Sequence, residues 1–218
     1  MINVIDAGVR QHEAQQRTGW TWENPFASRF VRPGAVPFLF SDGLEVHDLL
    51  ERLRSYNWWG SIVGPHGSGK STLLTRLEEA LRQRGCEVKS VVADQAAAAA
   101  LRSLAADGGR RQRLLLLDGY DLRPGWKRWW IQRVCRRAGV GLLVTSHRAA
   151  GLPVLWVTST SVPLALRLAG MLSGAEFAAR CDGLIRESFA RHGGNLREVW
   201  FDVYDHYERC NRPADGRV

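Results

Sequence analysis

The eight residues Gly64-Pro65-His66-Gly67-Ser68-Gly69-Lys70-Ser71 carry the clearest chemistry in the chain. They fit G-x-x-x-x-G-K-[ST], the spacing of a loop that cradles phosphates. A triphosphate must lie against backbone N–H groups, so several positions need small residues and unusual dihedrals. Gly64, Gly67 and Gly69 supply both. An amphipathic helix follows at once, so Thr72 and its neighbours place a helix N-terminus against the anion. Lys70 is expected to reach the outer phosphates and Ser71 to bind Mg²⁺. Pro65, His66 and Ser68 complete the loop, with His66 read as an ordinary solvated histidine.

A second acidic centre lies 48 residues after Lys70, where the apolar run Leu114–Leu117 ends in Asp118. A carboxylate at the end of a buried strand is placed to share the metal with Ser71. Asp121 follows three residues later. It either approaches an attacking water or caps the next helix, and the residues alone leave both open.

These groups need a frame, and the remaining pattern supplies one. Strand-like runs at Trp58–Val63, Glu87–Ala93, Leu114–Leu117, Val140–Thr145 and Val154–Thr158 alternate with helical segments. That alternation predicts an α/β fold, a five-stranded parallel sheet sandwiched by helices. Leu73, Leu74, Leu77 and Leu81 share one helical face; Trp126, Trp129, Trp130 and Val134 are expected to do the same against the sheet. After Ser161 only helices are expected. Ser173-Gly174-Ala175-Glu176 reads as a capping box opening one helix through Phe189, and Asn195 with Glu198 opens another. The expected organisation is an extension over 1–46, a core over 47–160, a small C-terminal helical lid over 161–210 and a flexible tail over 211–218.

The 218 residues are 45% hydrophobic and 24% charged, which suits a globular chain. Four scattered cysteines form no CxxC pair, and no apolar run approaches a membrane span, so a reducing, cytoplasmic setting is expected. The net charge is +8, and Lys70, Lys89 and Lys127 are the only lysines among 30 basic residues. Arginines interleaved with tryptophans over 126–137 raise nucleic acid as a partner. The helical spacing is read instead as tryptophans facing the sheet and arginines facing water.

The phosphate loop, the Asp118 strand and the unit between them resemble the additional-strand class of P-loop NTPases. Within it the chain resembles the AAA+ and STAND-type ATPases. That resemblance implies ATP and Mg²⁺ as cofactors and a nucleotide-dependent switch working with a protein partner or as a homo-oligomer. It implies a polar sensor at Thr145 or Ser146, with His147 an alternative, and a second sensor at Arg197, the arginine of Gly194-Asn195-Leu196-Arg197. It also implies adenine-side contacts near Asn24-Pro25-Phe26, Arg29, Arg32 and Pro33. Gly119 stands where hydrolytic members often carry glutamate, which implies slow or partner-stimulated hydrolysis, with Arg148 a candidate arginine finger. Two alternatives are a small-molecule phosphotransferase with Asp94 as acceptor-side base and a DNA-associated accessory ATPase.

Overall fold

The computed structural model describes residues 23–40, 43–92, 94–106 and 111–211. Five parallel strands, β1 (Trp59–Val63), β2 (Glu87–Val91), β3 (Arg113–Leu117), β4 (Gly141–Ser146) and β5 (Val154–Val157), form one sheet in the order β2-β3-β4-β1-β5. From β1 the chain therefore crosses to the far edge and fills back toward the centre. β4 lies between β1 and β3, with Val63 opposite Ser146 and Leu117 opposite Val144. The carboxyl ends of β1, β3 and β4 thus meet on one rim, the usual place for a ligand in an open α/β sheet.

Burial on both faces explains the leucine run of β3. Leu114 and Leu116 point to one side, with Ile62, Leu143 and Leu155, against α2 (Val46–Ser55) and α3 (Lys70–Gln83). Leu115 and Leu117 point to the other, with Leu142 and Val144, against α4 (Asp94–Ala106) and α5 (Gly125–Ala138). Successive strand side chains face opposite ways, so a strand covered on both sides must be apolar throughout. The Leu73, Leu74, Leu77 and Leu81 stripe of α3 is buried as its spacing predicts.

α5 turns the other way from the sequence expectation. Trp126, Trp129 and Trp130 are exposed, and the residues fully covered by the sheet side are Ile131 and Cys135. Ile131, Cys135 and Ala138 form an i, i+4, i+7 row with compact side chains that fit close to the sheet. Three indoles at 126, 129 and 130 are also periodic, but they lie on the opposite side of the cylinder.

The C-terminal region is helical: α6 (Val162–Ser173), α7 (Ala175–Arg180), α8 (Asp182–Arg191) and α9 (Leu196–Asn211). These helices and Phe26 form a third apolar cluster. The single helix expected through Phe189 is instead two, α7 and α8, meeting at Cys181. The expected capping box is absent: Ser173 Oγ donates to the Ala169 carbonyl at 2.9 Å, inside its own helix, and Gly174 with φ +86° makes the turn into α7. A short helix, α1 (Ser28–Val31), precedes the sheet. Asn211, expected to begin the tail over 211–218, is instead the last residue of α9; 212–218, residues 1–22 and the side chain of Asp94 lie outside the described residues.

The facing of α5 is open to test by urea unfolding. Ile131→Ala is expected to cost about 2–5 kcal/mol, whereas Trp129→Ala changes stability by no more than about 0.5 kcal/mol. The reverse ranking would mean that the tryptophans pack on the sheet.

Candidate functional site

β1 runs directly into the glycine loop, and Gly69, with φ +85°, forms the N-cap of α3. The loop has no spare space. A Cβ on Gly64 would lie 2.1 Å from Thr158 Oγ1, and a Cβ on Gly67 would lie 1.9 Å from Asn195 Oδ1. Both glycines are therefore required by close approach, and Gly67, with φ +67°, by dihedral freedom as well. Thr158, just past β5, is buried and shares a 2.6 Å hydrogen bond with Ser68 Oγ, while its N–H donates to the Val63 carbonyl at 2.7 Å. It ties the loop to the edge of the sheet. The sequence marks it only as one more polar residue at a strand end.

Lys70 is buried, and its ammonium donates to the carbonyls of Gly64 at 2.8 Å and Pro65 at 2.6 Å. Burial pulls its pKa below the ordinary lysine value, and the charges of Asp118 and Asp121 oppose that shift. Ser71 Oγ donates to Asp118 Oδ2 at 2.7 Å. Thr145 Oγ1 donates to the other oxygen of Asp118 and accepts the Gly119 N–H at 2.8 Å. Lys70, Ser71, Asp118 and Thr145, chosen from separate stretches of sequence, thus converge at the rim. Ser146, the alternative sensor, turns away and donates to the Arg148 carbonyl at 2.6 Å.

The turn after β3 is fastened from below by Arg123, which is buried and donates to the carbonyls of Asp118 at 3.1 Å, Gly119 at 2.8 Å and Val92 at 3.2 Å. No motif pointed to this arginine; its three acceptors come from the ends of two strands that only tertiary pairing brings together.

Asp121 is not the cap of α5, whose N-cap is Pro124. Asp121 Oδ2 accepts from the His147 backbone N–H and from His147 Nδ1, each at 2.9 Å. Burial acts to raise the Asp121 pKa, but these hydrogen bonds from His147 outweigh it and hold the carboxyl below its ordinary value. His147 Nε2 in turn lies 3.1 Å from His66 Nδ1, and the two rings lie tilted by 33° with centroids 3.8 Å apart. His66 is therefore not an isolated solvated side chain. It ends a relay, Asp121–His147–His66, that joins the turn after β3, the end of β4 and the phosphate loop.

These groups border a cavity of about 780 Å³. His66 to Thr72, Asp118, Thr145, His147 and Arg197 line it; Asp121 does not. The roof is the start of α9, where Asn195 Oδ1 accepts the Arg197 N–H at 3.2 Å. The far wall is the segment before α2, including Arg32, Pro33 and Phe38. Phe26 and Arg29 do not reach it. Phe26 is buried beside Trp200, with ring centroids 5.8 Å apart, and Asn24 Nδ2 donates to the Tyr204 carbonyl at 3.0 Å, so Asn24-Pro25-Phe26 docks on α9. Arg29 pairs with Glu23 at 2.6 Å. Arg148 is exposed.

The donor set fits a metal-bound triphosphate. The loop residues His66 to Thr72 face the cavity beside the N-terminus of α3, and Ser71 with Asp118 is a hydroxyl–carboxylate pair of the all-oxygen kind that Mg²⁺ takes.

The Asp121–His147 link carries its own test. A carboxyl with a lowered folded-state pKa stabilises fully above its unfolded value, near 3.9, and that contribution is lost as pH falls through the lower folded value. Asp121→Asn is expected to lose about 1–3 kcal/mol at neutral pH in urea unfolding. The gap to the parent protein should close as the solution is taken well below pH ~4. A gap that stays constant with pH would mean the carboxylate charge is not what matters.

No family model matches the sequence, and neither does any curated protein. Among solved structures, the chain is similar to a DNA replication initiation factor at 15% identity and a TM-score of 0.50, covering 80% of this chain and 66% of that one. AMPPCP-bound DnaA from Aquifex aeolicus is matched at 16% identity over 74% of this chain and 61% of that one, with a TM-score of 0.45. Domain III of DnaA from Thermotoga maritima is matched at 14% identity over 86% and 98%, with a TM-score of 0.44. The chain thus spans slightly less than two thirds of the DNA replication initiation factor. With its sheet order and rim, the chain has an AAA+-type P-loop NTPase fold.

Proposed function

We propose that this protein binds Mg·ATP in the loop over 64–72 and hydrolyses it slowly or with a partner's help, as a nucleotide-dependent switch. The observation that carries this reading is the meeting of Ser71, Asp118 and Thr145 in one hydrogen-bonded set at the mouth of a glycine cradle. In the bound state Ser71 and Asp118 would hold the metal, which neutralises charge on the phosphates. Two protons of the Lys70 ammonium go to loop carbonyls, which leaves its third for the anion. The backbone N–H groups of the loop and the α3 N-terminus take the remaining phosphate oxygens.

Gly119 provides no base for an attacking water. His147 is the candidate for that role. Asp121 accepts from Nδ1–H, which leaves Nε2 as the acceptor nitrogen on the cavity side. In hydrolysis Nε2 takes the proton of the water, the water oxygen bonds to the γ-phosphorus, and the bond to the bridging oxygen breaks to release ADP. His66 must yield its contact with Nε2 first, a step that would slow turnover by the isolated chain. Arg197, in the exposed first turn of α9, opposes the helix dipole, and a γ-phosphate below it would relieve that unfavourable placement. In this way the C-terminal helices would act as a lid that reports the nucleotide to a protein partner or to further copies of the chain.

Calorimetric titration with Mg·ATP tests the first part: the parent protein gives a saturable heat, and Lys70→Ala abolishes it. No heat with the parent protein would end the proposal. Single-turnover hydrolysis tests the second: His147→Gln keeps Mg·ATP affinity and lowers the rate by roughly 100-fold or more. An unchanged rate would remove His147 from the chemistry and leave binding intact.

A further inference from the structure

α5 presents a surface that the nucleotide site does not use. Trp126 and Trp129 are 68% and 62% exposed, and Trp130 is 39% exposed. At 3.6 residues per turn these rings share one side of the helix with Arg133, Arg136 and Arg137. All three arginines are exposed. The segment 125–138 contains five basic residues and no acidic one. The cations lie over the rings: Arg133 is 5.4 Å from the Trp129 centroid and Lys127 is 5.5 Å from that of Trp126. Arg136 lies 5.1 Å from the centroid of Trp59, which extends the face to the start of β1.

Three indoles left in water on a helix whose opposite side is well packed are costly unless something covers them. The charge restricts what that is. A second copy meeting this face with its own would bring arginines against arginines. A neutral apolar partner would bury the guanidinium groups without counter-charges. The complementary ligand is a polyanion that also offers flat rings. We propose that the α5 face binds single-stranded polynucleotide, with Trp126 and Trp129 stacking on bases and Arg133, Arg136 and Arg137 pairing with phosphates. Unpaired strands fit better than a duplex, because the π-faces of duplex bases are already stacked on each other. Guanidinium suits both tasks, since it grips phosphate oxygens in pairs and lies flat on aromatic rings.

The test is fluorescence anisotropy of the full chain, without nucleotide, on a labelled oligothymidylate of about 20 nucleotides. Its duplex with oligoadenylate and polyglutamate serve as competitors. Single-strand binding is expected to exceed duplex binding and to weaken with salt. Trp126→Ala/Trp129→Ala should weaken it roughly tenfold or more, while Trp126→Phe/Trp129→Phe keeps most of it. Arg133→Gln/Arg136→Gln/Arg137→Gln should reduce the slope of log affinity against log salt by about 2. Ultraviolet crosslinking of the unmodified protein, mapped by peptide, gives a readout free of any folding defect and should place crosslinks within 125–138. No binding, duplex preference or crosslinks confined to other segments would overturn the proposal. So would competition by polyglutamate that depends on the two tryptophans, which would assign the face to an acidic protein instead.

Discussion

The carboxylate of Asp118 organises this molecule. One oxygen accepts from Ser71 at the start of α3, and the other accepts from Thr145 at the end of β4. A buried-edge carboxylate that lacked these donors would pay a desolvation penalty of several kcal/mol. The pairing therefore constrains the relative positions of β1, β3 and β4 at their carboxyl ends. With β4 between the other two, the Thr145 hydroxyl reaches both Asp118 and the N–H of Gly119. The same three strands bring Asp121, His147 and His66 into line one layer further out.

The second constraint is the close fit between the loop and the C-terminal helices. Gly67 leaves room for Asn195 and the start of α9 to rest directly on the phosphate loop. A helix N-terminus carries partial positive charge and unsatisfied N–H groups. Here Asn195 satisfies one of them, at Arg197, and the arginine side chain borders the cavity. The loop below and the helix above thus both offer positive potential to the same 780 Å³ space. The docking of Asn24 and Phe26 on α9 joins residues 24–26 to this upper layer, while Arg32, Pro33 and Phe38 line the cavity itself.

α5 shows how one helix serves two solvents. Ile131 and Cys135 fill the space against β4 and α4, while the aromatic and basic residues face outward. Between the two faces Tyr120 is fully buried, with its hydroxyl accepting from Gln132 at 2.9 Å, so the turn after Asp118 is held against the helix that carries the outer surface. A polyanion on that surface and a nucleotide at the rim would therefore act on neighbouring parts of one rigid connection.

Much of this was present in the residues themselves. The glycine loop, the Asp118 strand and the order of strands and helices follow from local rules: glycine freedom at Gly67 and Gly69, apolar continuity in a doubly covered strand, and leucines at helical spacing in α3. Thr145 and Arg197 were legible only through resemblance. What the sequence could not decide were the contacts between segments that no spacing connects. Thr158 on Ser68, Arg123 across two strand ends, and the Asp121–His147–His66 relay each depend on parallel pairing that brings distant strand ends within a few ångströms. The facing of α5 is of the same kind. Its pattern holds two periodic rows, one of bulky rings and one of compact side chains, and the spacing of the tryptophans taken alone favours the rings. The row of rings also carries Arg133, Arg136 and Arg137, so the sheet takes the compact row, which packs closely in the folded protein without burying three guanidinium groups.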